Sequence, residues 1–258
     1  MRAIILAAGT GSRLGVGHPK CMTQVGGHSL LHHQLAALRS VGVGDVTVVV
    51  GHQHNRIRSA GTYDLDLVMN ERFATTNSLY SFWLARRPTD DDVLLLNSDV
   101  LFPLQVLEDL LAEPGSAVAY DSTSGGDPEH MKVALQNGRL TVMSKMLAAG
   151  RTCGENLGVI RLSAPAANAA FAAADALIHG GADADWVASA VNAAASEHWI
   201  GAADMAGMPW IEIDFPPDLT VARRRIWPRI VSMQRSQILP DAPTASRCDH
   251  DGSVRLSA

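Results

Sequence analysis

Cysteines, basic residues and long apolar runs are all scarce in this 258-residue sequence. The three cysteines, Cys21, Cys153 and Cys248, lie far apart, so they form neither a disulfide framework nor a zinc-ligand spacing. Lysine and arginine number 21 against 26 aspartates and glutamates, which gives a net charge of −5. A general nucleic-acid binder needs a basic face, so we expect no nucleic-acid partner.

No apolar run approaches the roughly 20 residues that cross a bilayer. The apolar start at residues 1–6 is too short for a signal peptide, because glycines follow at once. We therefore expect no membrane partner and a cytoplasmic location. A composition of 47% hydrophobic and 18% charged residues is typical of a globular protein with a sizeable core. The length suits one large α/β domain or at most two small ones.

The first hundred residues alternate short apolar runs with amphipathic stretches. This pattern predicts strands at 3–8, 46–50, 65–69 and 93–96, and helices at 29–38 and 76–85. Strands that alternate with helices predict a parallel sheet covered on both faces.

After about residue 114 the pattern becomes antiparallel in character. Short strands are predicted at 117–120, 131–135, 140–143 and 157–162, then helices at 165–177 and 184–195 and a last strand at 210–214. A terminal helix opens at Pro216 and is interrupted by Pro228. The polar, breaker-rich end predicts one domain over residues 1–238 and a disordered tail over 239–258.

A glycine-containing loop after the first strand carries the main functional signal. It reads Leu-Ala-Ala-Gly-Thr-Gly-Ser-Arg-Leu from residue 6, with Arg13 in the loop and Lys20 after Pro19. Small residues let backbone amides approach an anion, and the two cations add charge-assisted hydrogen bonds. The Gly-Lys-Ser/Thr of a Walker loop and the third glycine of a dinucleotide fingerprint are both missing. The segment therefore predicts a phosphate site, and the alternative is an ordinary turn with two surface cations.

Carboxylates stand at the ends of two predicted strands, Asp99 after residues 93–96 and Asp214 at the end of residues 210–214. Open α/β sheets bind ligands at the carboxyl edge of their strands. One or two carboxylates with phosphate oxygens are the usual way of holding Mg²⁺. Glu212 shares a strand face with Asp214, so it could assist a metal or pair with Arg13 or Lys20. The alternative for each aspartate alone is a turn residue.

Residues 6–20 resemble the signature of nucleotidyltransferases with the nucleotide-diphospho-sugar transferase fold. Residues 70–81 and 210–219 are similar to stretches of the small CTP-dependent cytidylyltransferases that act on phosphocholine, phosphonates or inositol 1-phosphate. The resemblance covers about residues 1–225. It implies an α/β fold, a Rossmann-like α/β/α sandwich with a mainly parallel central sheet and a small antiparallel subregion on the acceptor side.

The resemblance implies Mg²⁺-dependent transfer of the cytidylyl (CMP) group from CTP to a small phosphate or phosphonate acceptor, with release of pyrophosphate. The acceptor would be phosphocholine-like or 2-aminoethylphosphonate-like. Arg13 and Lys20 would be catalytic, and Asp99 and Asp214 would hold Mg²⁺. The implied nucleotide-binding residues are Leu6, Ala7, Ala8, Gly9, Thr10, Gly11, Asn77, Ser81 and Ser98. The candidate acceptor-binding residues are Tyr80, Lys145, Glu155, Asp185 and Trp186.

Several alternatives stay open at this point. The nearest is a sugar-1-phosphate nucleotidyltransferase that uses UTP, dTTP or GTP, which the short loop between Arg13 and Lys20 disfavours. A nucleotide sensor that kept the fold and lost catalysis is another. The aromatic candidates could equally be core residues, and Lys145 and Glu155 could be exposed loop charges. The protein could be a monomer or a homodimer.

Overall fold

A computed structural model describes residues 1–59, 65–124 and 126–238. The tail predicted over residues 239–258 lies outside this described part. Its strands are β1 (Arg2–Ala7), β2 (Gln24–Val25), β3 (His28–Ser29), β4 (Asp45–Val50), β5 (Asp66–Met69), β6 (Val93–Asn97), β7 (Val100–Leu101), β8 (Ser116–Asp121), β9 (Lys132–Gln136), β10 (Arg139–Ser144), β11 (Gly154–Leu162), β12 (Ile200–Asp204) and β13 (Ile211–Glu212). Its helices are α1 (Leu30–Ser40), α2 (His54–Ser59), α3 (Ser78–Leu84), α4 (Gln105–Ala112), α5 (Ala164–His179), α6 (Ala188–Glu197), α7 (Pro216–Val221) and α8 (Trp227–Ile238).

Nine of these strands form one sheet in the order β10-β9-β11-β6-β1-β4-β5, with β8 beside β11 and β12 beside β8. Strands β6, β1, β4 and β5 are parallel to one another. Strand β11 runs antiparallel to β6, β8 and β9, and β9 and β10 form an antiparallel hairpin. The α/β architecture predicted from the sequence is confirmed, with a mainly parallel sheet and an antiparallel part.

The long strand β11 pairs with different neighbours at its two ends. Its last residues pair with β6, and its first residues pair with β9. Strand β8 lies on the opposite edge of β11 in both regions, because Glu155 and Ile160 each pair with β8 as well. Strands β9 and β10 therefore extend the sheet beyond the carboxyl end of β6, and they form one wall of the space above that end.

Helices cover both faces of the sheet. Alternate side chains of β1 point to opposite faces, as the period of two requires. Ile4 and Leu6 pack in a core with residues of α3, α5 and α6. Ala3 and Ile5 pack in a second core with residues of α1, α2 and α4. These two cores make the molecule an α/β/α sandwich. In the described part of the chain, no helix is both long and apolar enough to cross a membrane.

Several parts of the chain differ from the sequence prediction, which did not include helices α2 and α4. Strand β12 was not predicted, because Ile-Gly-Ala-Ala-Asp has few β-branched residues, yet it pairs in parallel with β8. The strand predicted at 210–214 shrinks to the two-residue β13, which pairs with β7 outside the main sheet. The predicted interruption at Pro228 is wrong, since a π turn at Ala222–Ile226 joins α7 to α8. Pro228 lies in the first turn of α8, where its missing N–H costs little.

The C-terminal helices pack on the loop that follows β1. A third cluster joins Leu14, Val25 and Leu30 to Ile213, Ala222 and Ile230. The indole of Trp227 also packs against the ring of His33 in a tilted arrangement, and a ring nitrogen of His33 lies 2.9 Å from the Val25 carbonyl oxygen. The end of the described chain thus holds the segment that contains Arg13 and Lys20 in place.

Substitution of Gly26 tests this packing. Gly26 has a φ of +61°, and a Cβ atom there would overlap the indole of Trp227, whereas Gly27, with a φ of +89°, faces open space. We expect Gly27→Ala to lower the free energy of unfolding by the left-handed strain alone, about 1–2 kcal/mol. We expect Gly26→Ala to add an overpacking loss of about 1–3 kcal/mol. Urea unfolding measures both variants, and equal losses would contradict the packing.

Candidate active site

A cleft of about 310 Å³ opens at the carboxyl end of β1 and β6. Gly11 has a φ of +62°, and a Cβ atom there would lie 3.2 Å from the Cβ of Lys20. A glycine therefore lets the loop lie directly against Lys20. The proposed nucleotide-binding residues all line this cleft: Leu6, Ala7, Ala8, Gly9, Thr10, Gly11, Asn77, Ser81 and Ser98.

The charged residues singled out in the sequence converge in this cleft. Lys20 Nζ donates to Asp99 Oδ2 at 2.7 Å and also to Asp214 Oδ1. Arg13 donates through Nη2 to Asp214 Oδ2 at 2.9 Å and through Nη1 to Glu129 Oε2 at 3.0 Å. Two cations and two aspartates from distant parts of the chain thus form one network. Glu129 joins it, although the sequence analysis did not single it out.

The protonation of this network follows from burial and charge. Burial by itself would lower the pKa of Lys20, but the carboxylates of Asp99 and Asp214 outweigh it and raise the pKa above its ordinary value. Burial would raise the pKa of Asp214, but the charges of Lys20 and Arg13 outweigh it and lower that pKa. Lys20 and Asp214 are therefore both charged at neutral pH.

A third carboxylate, Glu212, lies beside the two aspartates. One carboxylate oxygen each of Asp99, Glu212 and Asp214 lie within 4.8 Å of one another. Burial and the negative charges of Asp99 and Asp214 raise the pKa of Glu212 to about 7. Asp99 Oδ1 is buried, and no hydrogen-bond partner for it exists among the described residues. Clustered hard oxygen ligands, one of them unpartnered, fit the preferences of Mg²⁺.

Two structural supports hold the aspartates in position. Gln34 of α1 is buried, and its Nε2 donates to the carbonyls of Asn97 at 2.8 Å and Val100 at 3.0 Å, on both sides of Asp99. Asp218 Oδ2 accepts from the backbone N–H groups of Asp214 at 2.9 Å and Phe215 at 2.7 Å. The sequence analysis missed Gln34, because a buried glutamine on a helix carries no local signal. Asp218 lay within the stretch at 210–219 that resembles the cytidylyltransferases.

One wall of the cleft is built around Asn70, the residue after β5. Asn70 Nδ2 donates to Thr76 Oγ1 at 3.1 Å and to Ser81 Oγ at 3.2 Å. Its Oδ1 accepts from the backbone N–H of Arg72 at 2.9 Å. Asn77 caps α3 by accepting from the N–H of Ser78. The segment 70–81 is therefore a preformed polar surface.

The five acceptor candidates divide into two groups. Lys145 and Trp186 line the cleft, and Lys145 Nζ lies 5.3 Å from the centre of the Trp186 ring. Tyr80, Glu155 and Asp185 do not line it, and their part in acceptor binding stays a prediction. Tyr80 lies under the guanidinium of Arg72, because α3 turns Ser78 and Ser81 toward the cleft instead. Asp185 is exposed and accepts from Ser189 Oγ at 3.3 Å.

Glu155 supports the cleft from behind. It is 3% exposed, and its Oε2 lies 2.9 Å from His130 Nδ1. Its Oε1 accepts from the N–H of Asp127. Burial would raise the pKa of Glu155, but the hydrogen bond and charge of His130 outweigh it and lower that pKa. A buried carboxylate thus anchors the loop that carries Glu129. Of the two expectations for Glu155, the exposed charge is wrong, since the residue is buried, and the acceptor contact stays a prediction.

Comparisons with known proteins agree with this geometry. Residues 3–237 match the model of the MobA-like NTP transferase domain. A CMP-5'-(3-aminopropyl)phosphonate synthase from Streptomyces rubellomurinus is 46% identical over 128 residues, 46% of this chain and 20% of the relative. A choline-phosphate cytidylyltransferase from Streptococcus pneumoniae is 31% identical over 116 residues, 43% of this chain and 50% of the relative. The chain therefore spans half or less of the length of these curated relatives.

The fold has close structural neighbours. The solved inositol-1-phosphate CTP transferase from T. maritima superposes with a TM-score of 0.73 at 20% identity, and covers 90% of this chain and 96% of that one. The fold and the family match define a nucleotidyltransferase, which confirms the class predicted from the sequence. The chain belongs to the MobA-like NTP transferase domain family.

Replacement of Gln34 tests how the Asp99 turn is held. Gln34→Leu leaves the carbonyls of Asn97 and Val100 buried without their donor, and we expect it to lower the free energy of unfolding by about 1–3 kcal/mol. Gln136→Leu is the matched control, since Gln136 is exposed at the end of β9. Surface changes of that kind stay within about 0.5 kcal/mol. Denaturant unfolding compares the two, and similar values for both would contradict the support role.

Proposed function

We propose that this protein is a Mg²⁺-dependent cytidylyltransferase. It transfers the CMP group of CTP to a small phosphate or phosphonate acceptor and releases pyrophosphate. The observation that carries the proposal is the convergence of Arg13, Lys20, Asp99 and Asp214 in one cleft of a nucleotidyltransferase fold. The relatives named a CMP-5'-(3-aminopropyl)phosphonate synthase and a choline-phosphate cytidylyltransferase support a cytidine nucleotide and an acceptor of this kind.

Each half of the sheet binds one of the two substrates. The loop after β1 and the polar segment 70–81 border the parallel half, and they bind the nucleotide. The small polar side chains of Asn70, Asn77 and Ser81 suit the donor and acceptors of a cytosine edge. Lys145, Met131 and Asn156 border the antiparallel half, where the acceptor binds. Asp99 follows β6, between the two halves.

The reaction is an in-line displacement at phosphorus. An acceptor oxygen forms a bond to the α-phosphorus of CTP, and the bond from that phosphorus to the oxygen bridging to the β-phosphate breaks. The acceptor phosphate or phosphonate is already an anion at neutral pH, so no general base is needed. Arg13 grips phosphate oxygens with its planar fork. Lys20 offsets the negative charge that builds up on the α-phosphoryl group and on the leaving pyrophosphate.

The carboxylates of Asp99 and Asp214, with Glu212 adjacent, are the groups that would hold Mg²⁺. When bound, the ion supplies Lewis-acid neutralisation of phosphate oxygens. Nucleotide phosphates then replace carboxylates as partners of Lys20 and Arg13. This exchange would require the Lys20 ion pairs to open, because Asp99 and Asp214 are both partners of Lys20.

Pyrophosphate release tests the proposed function. We expect release with CTP, Mg²⁺ and a phosphonate or phosphate acceptor, and little release when UTP, dTTP or GTP replaces CTP. Preferred release with a sugar 1-phosphate and one of those three nucleotides would instead identify the alternative enzyme. Stabilisation by CTP, about 2.7 kcal/mol at 100 times its dissociation constant, without release from any pair would identify a nucleotide sensor.

Removal of the Lys20 ammonium tests the role of the charge network. We expect Lys20→Met to lower kcat by about 10²–10³-fold, the usual loss of one electrostatic stabiliser. The variant should also melt at a lower temperature, because Asp99, Glu212 and Asp214 lose a shared counter-ion. Added Mg²⁺ should raise its melting temperature more than that of the wild type.

Arg87→Met is the control for this experiment. Arg87 forms an exposed ion pair with Asp45 at 2.7 Å, near the end of the sheet opposite the cleft. Exposed pairs contribute at most about 1 kcal/mol, so turnover should stay at the wild-type level. A fully active Lys20→Met variant would show that the phosphate site lies elsewhere.

A further inference from the structure

A small inner cavity of about 40 Å³ adjoins the main cleft. The residues that line both spaces are Ser78, Asn97, Met131, Asn156 and Trp186. The rest of the inner wall consists of Gly158 and apolar side chains: Leu95, Met143, Ile160, Val187 and Ala188. No charged side chain of the described residues lines this inner space. The cavity is thus an apolar extension of the cleft with few polar groups.

The side chain of Asn156 is the unusual feature of this wall. Asn156 is 8% exposed, and its Oδ1 is buried without a hydrogen-bond partner among the described residues. Its backbone N–H is used, since it donates to the Met131 carbonyl at 2.8 Å. The pairing of β11 with β8 is irregular between Asn156 and Ile160, and such irregularities often re-aim side chains next to active sites. An unpaired buried acceptor costs free energy, which a bound donor would remove.

The size of the cavity limits what can enter it. One water-sized group needs roughly 10–15 Å³, so about 40 Å³ holds about three or four non-hydrogen atoms. A chain of two carbons with one terminal polar atom fits this space. A polyhydroxylated ring is too large, and a trimethylammonium group has no N–H to donate.

The cavity also lies close to the reacting groups. Asn97 lines both the cavity and the cleft, and it precedes Asp99 by two residues. Two residues of chain span at most about 7 Å. A short linker is therefore long enough to join a phosphorus atom near Asp99 to a group in the cavity.

We propose, on the basis of the proposed function, that Asn156 determines which acceptor is used. The acceptor is a phosphate or phosphonate with a short tail of two or three carbons that ends in an N–H or O–H donor. The tail enters the inner cavity, and its terminal group donates to Asn156 Oδ1. Acceptors whose tail ends in a methyl or trimethylammonium group leave that oxygen unpaired.

A panel of acceptors that differ only in the end of the tail tests this proposal on the unmodified protein. The panel is 2-aminoethylphosphonate, 2-hydroxyethylphosphonate, ethylphosphonate and phosphocholine, each with CTP and Mg²⁺. We expect kcat/KM for the better of the two donor-bearing acceptors to exceed that for ethylphosphonate and for phosphocholine by at least about tenfold. Comparison of the amine with the alcohol then identifies the donor.

The variant Asn156→Leu tests the residue itself, because leucine has a similar size and no acceptor oxygen. We expect it to raise KM for the preferred donor-bearing acceptor about tenfold or more, and to reduce the preference for that acceptor over ethylphosphonate by about the same factor. Asn156→Asp keeps the acceptor oxygen, so it should retain the preference for a donor. CTP binding, measured by the thermal shift, should match the wild type in both variants and shows that they are folded.

The outcomes separate this proposal from the proposed function. Absence of pyrophosphate release with CTP and every acceptor would overturn the proposed function. Release that is equally efficient with ethylphosphonate or phosphocholine would overturn only the role of Asn156. An Asn156→Leu variant that binds CTP normally and loses the same factor with all four acceptors would also overturn it.

Discussion

The ion pairs of Lys20 with Asp99 and Asp214 are the interaction on which the site depends. They join three segments that are far apart in the sequence: the loop after β1, the turn after β6 and the end of β13. Carboxylates so close together repel one another, and a cation must lie between them for the fold to hold them there. Lys20 supplies that charge. The same clustering gives three carboxylates that could hold a divalent ion, so the stabilising lysine and these carboxylates are parts of one electrostatic arrangement.

This arrangement depends on supporting contacts made by residues that lie around the Lys20 ion pairs. Gln34 holds the turn around Asp99 from below, and Asp218 holds the backbone at Asp214. The β7–β13 ladder joins the two, since the N–H of Ile213 donates to the Asp99 carbonyl at 3.0 Å. Buried Glu155 anchors the loop with Glu129, which in turn orients Arg13. Preorganisation of this kind matters because electrostatic catalysis depends on groups that are already in place.

The sheet offers two walls, which on the proposed function would bind the two substrates. Its parallel half ends in the loop after β1 and the polar segment 70–81, which form one wall of the cleft. Its antiparallel half extends past β6 and forms a second wall. Asp99 follows β6 at the boundary of the two halves. On the proposed function, change in the antiparallel wall, at residues such as Asn156 or Trp186, would alter the acceptor without disturbing the nucleotide site.

Local chemistry in the sequence determined the class of the protein and most of the elements. The alternation of apolar runs and amphipathic stretches predicted the α/β fold, and the glycine loop with Arg13 and Lys20 predicted the phosphate site, because each depends on residues close together in the chain. The tertiary structure alone decided the partners. It placed Asp214 two residues after the short ladder of β13 with β7, left Tyr80 and Asp185 out of the cleft lining, and buried Glu155 behind the cleft. It also placed Gln34, Glu129 and the unpaired oxygen of Asn156 at the site. No local sequence pattern predicts these positions, because they depend on long-range packing and on the direction of each side chain.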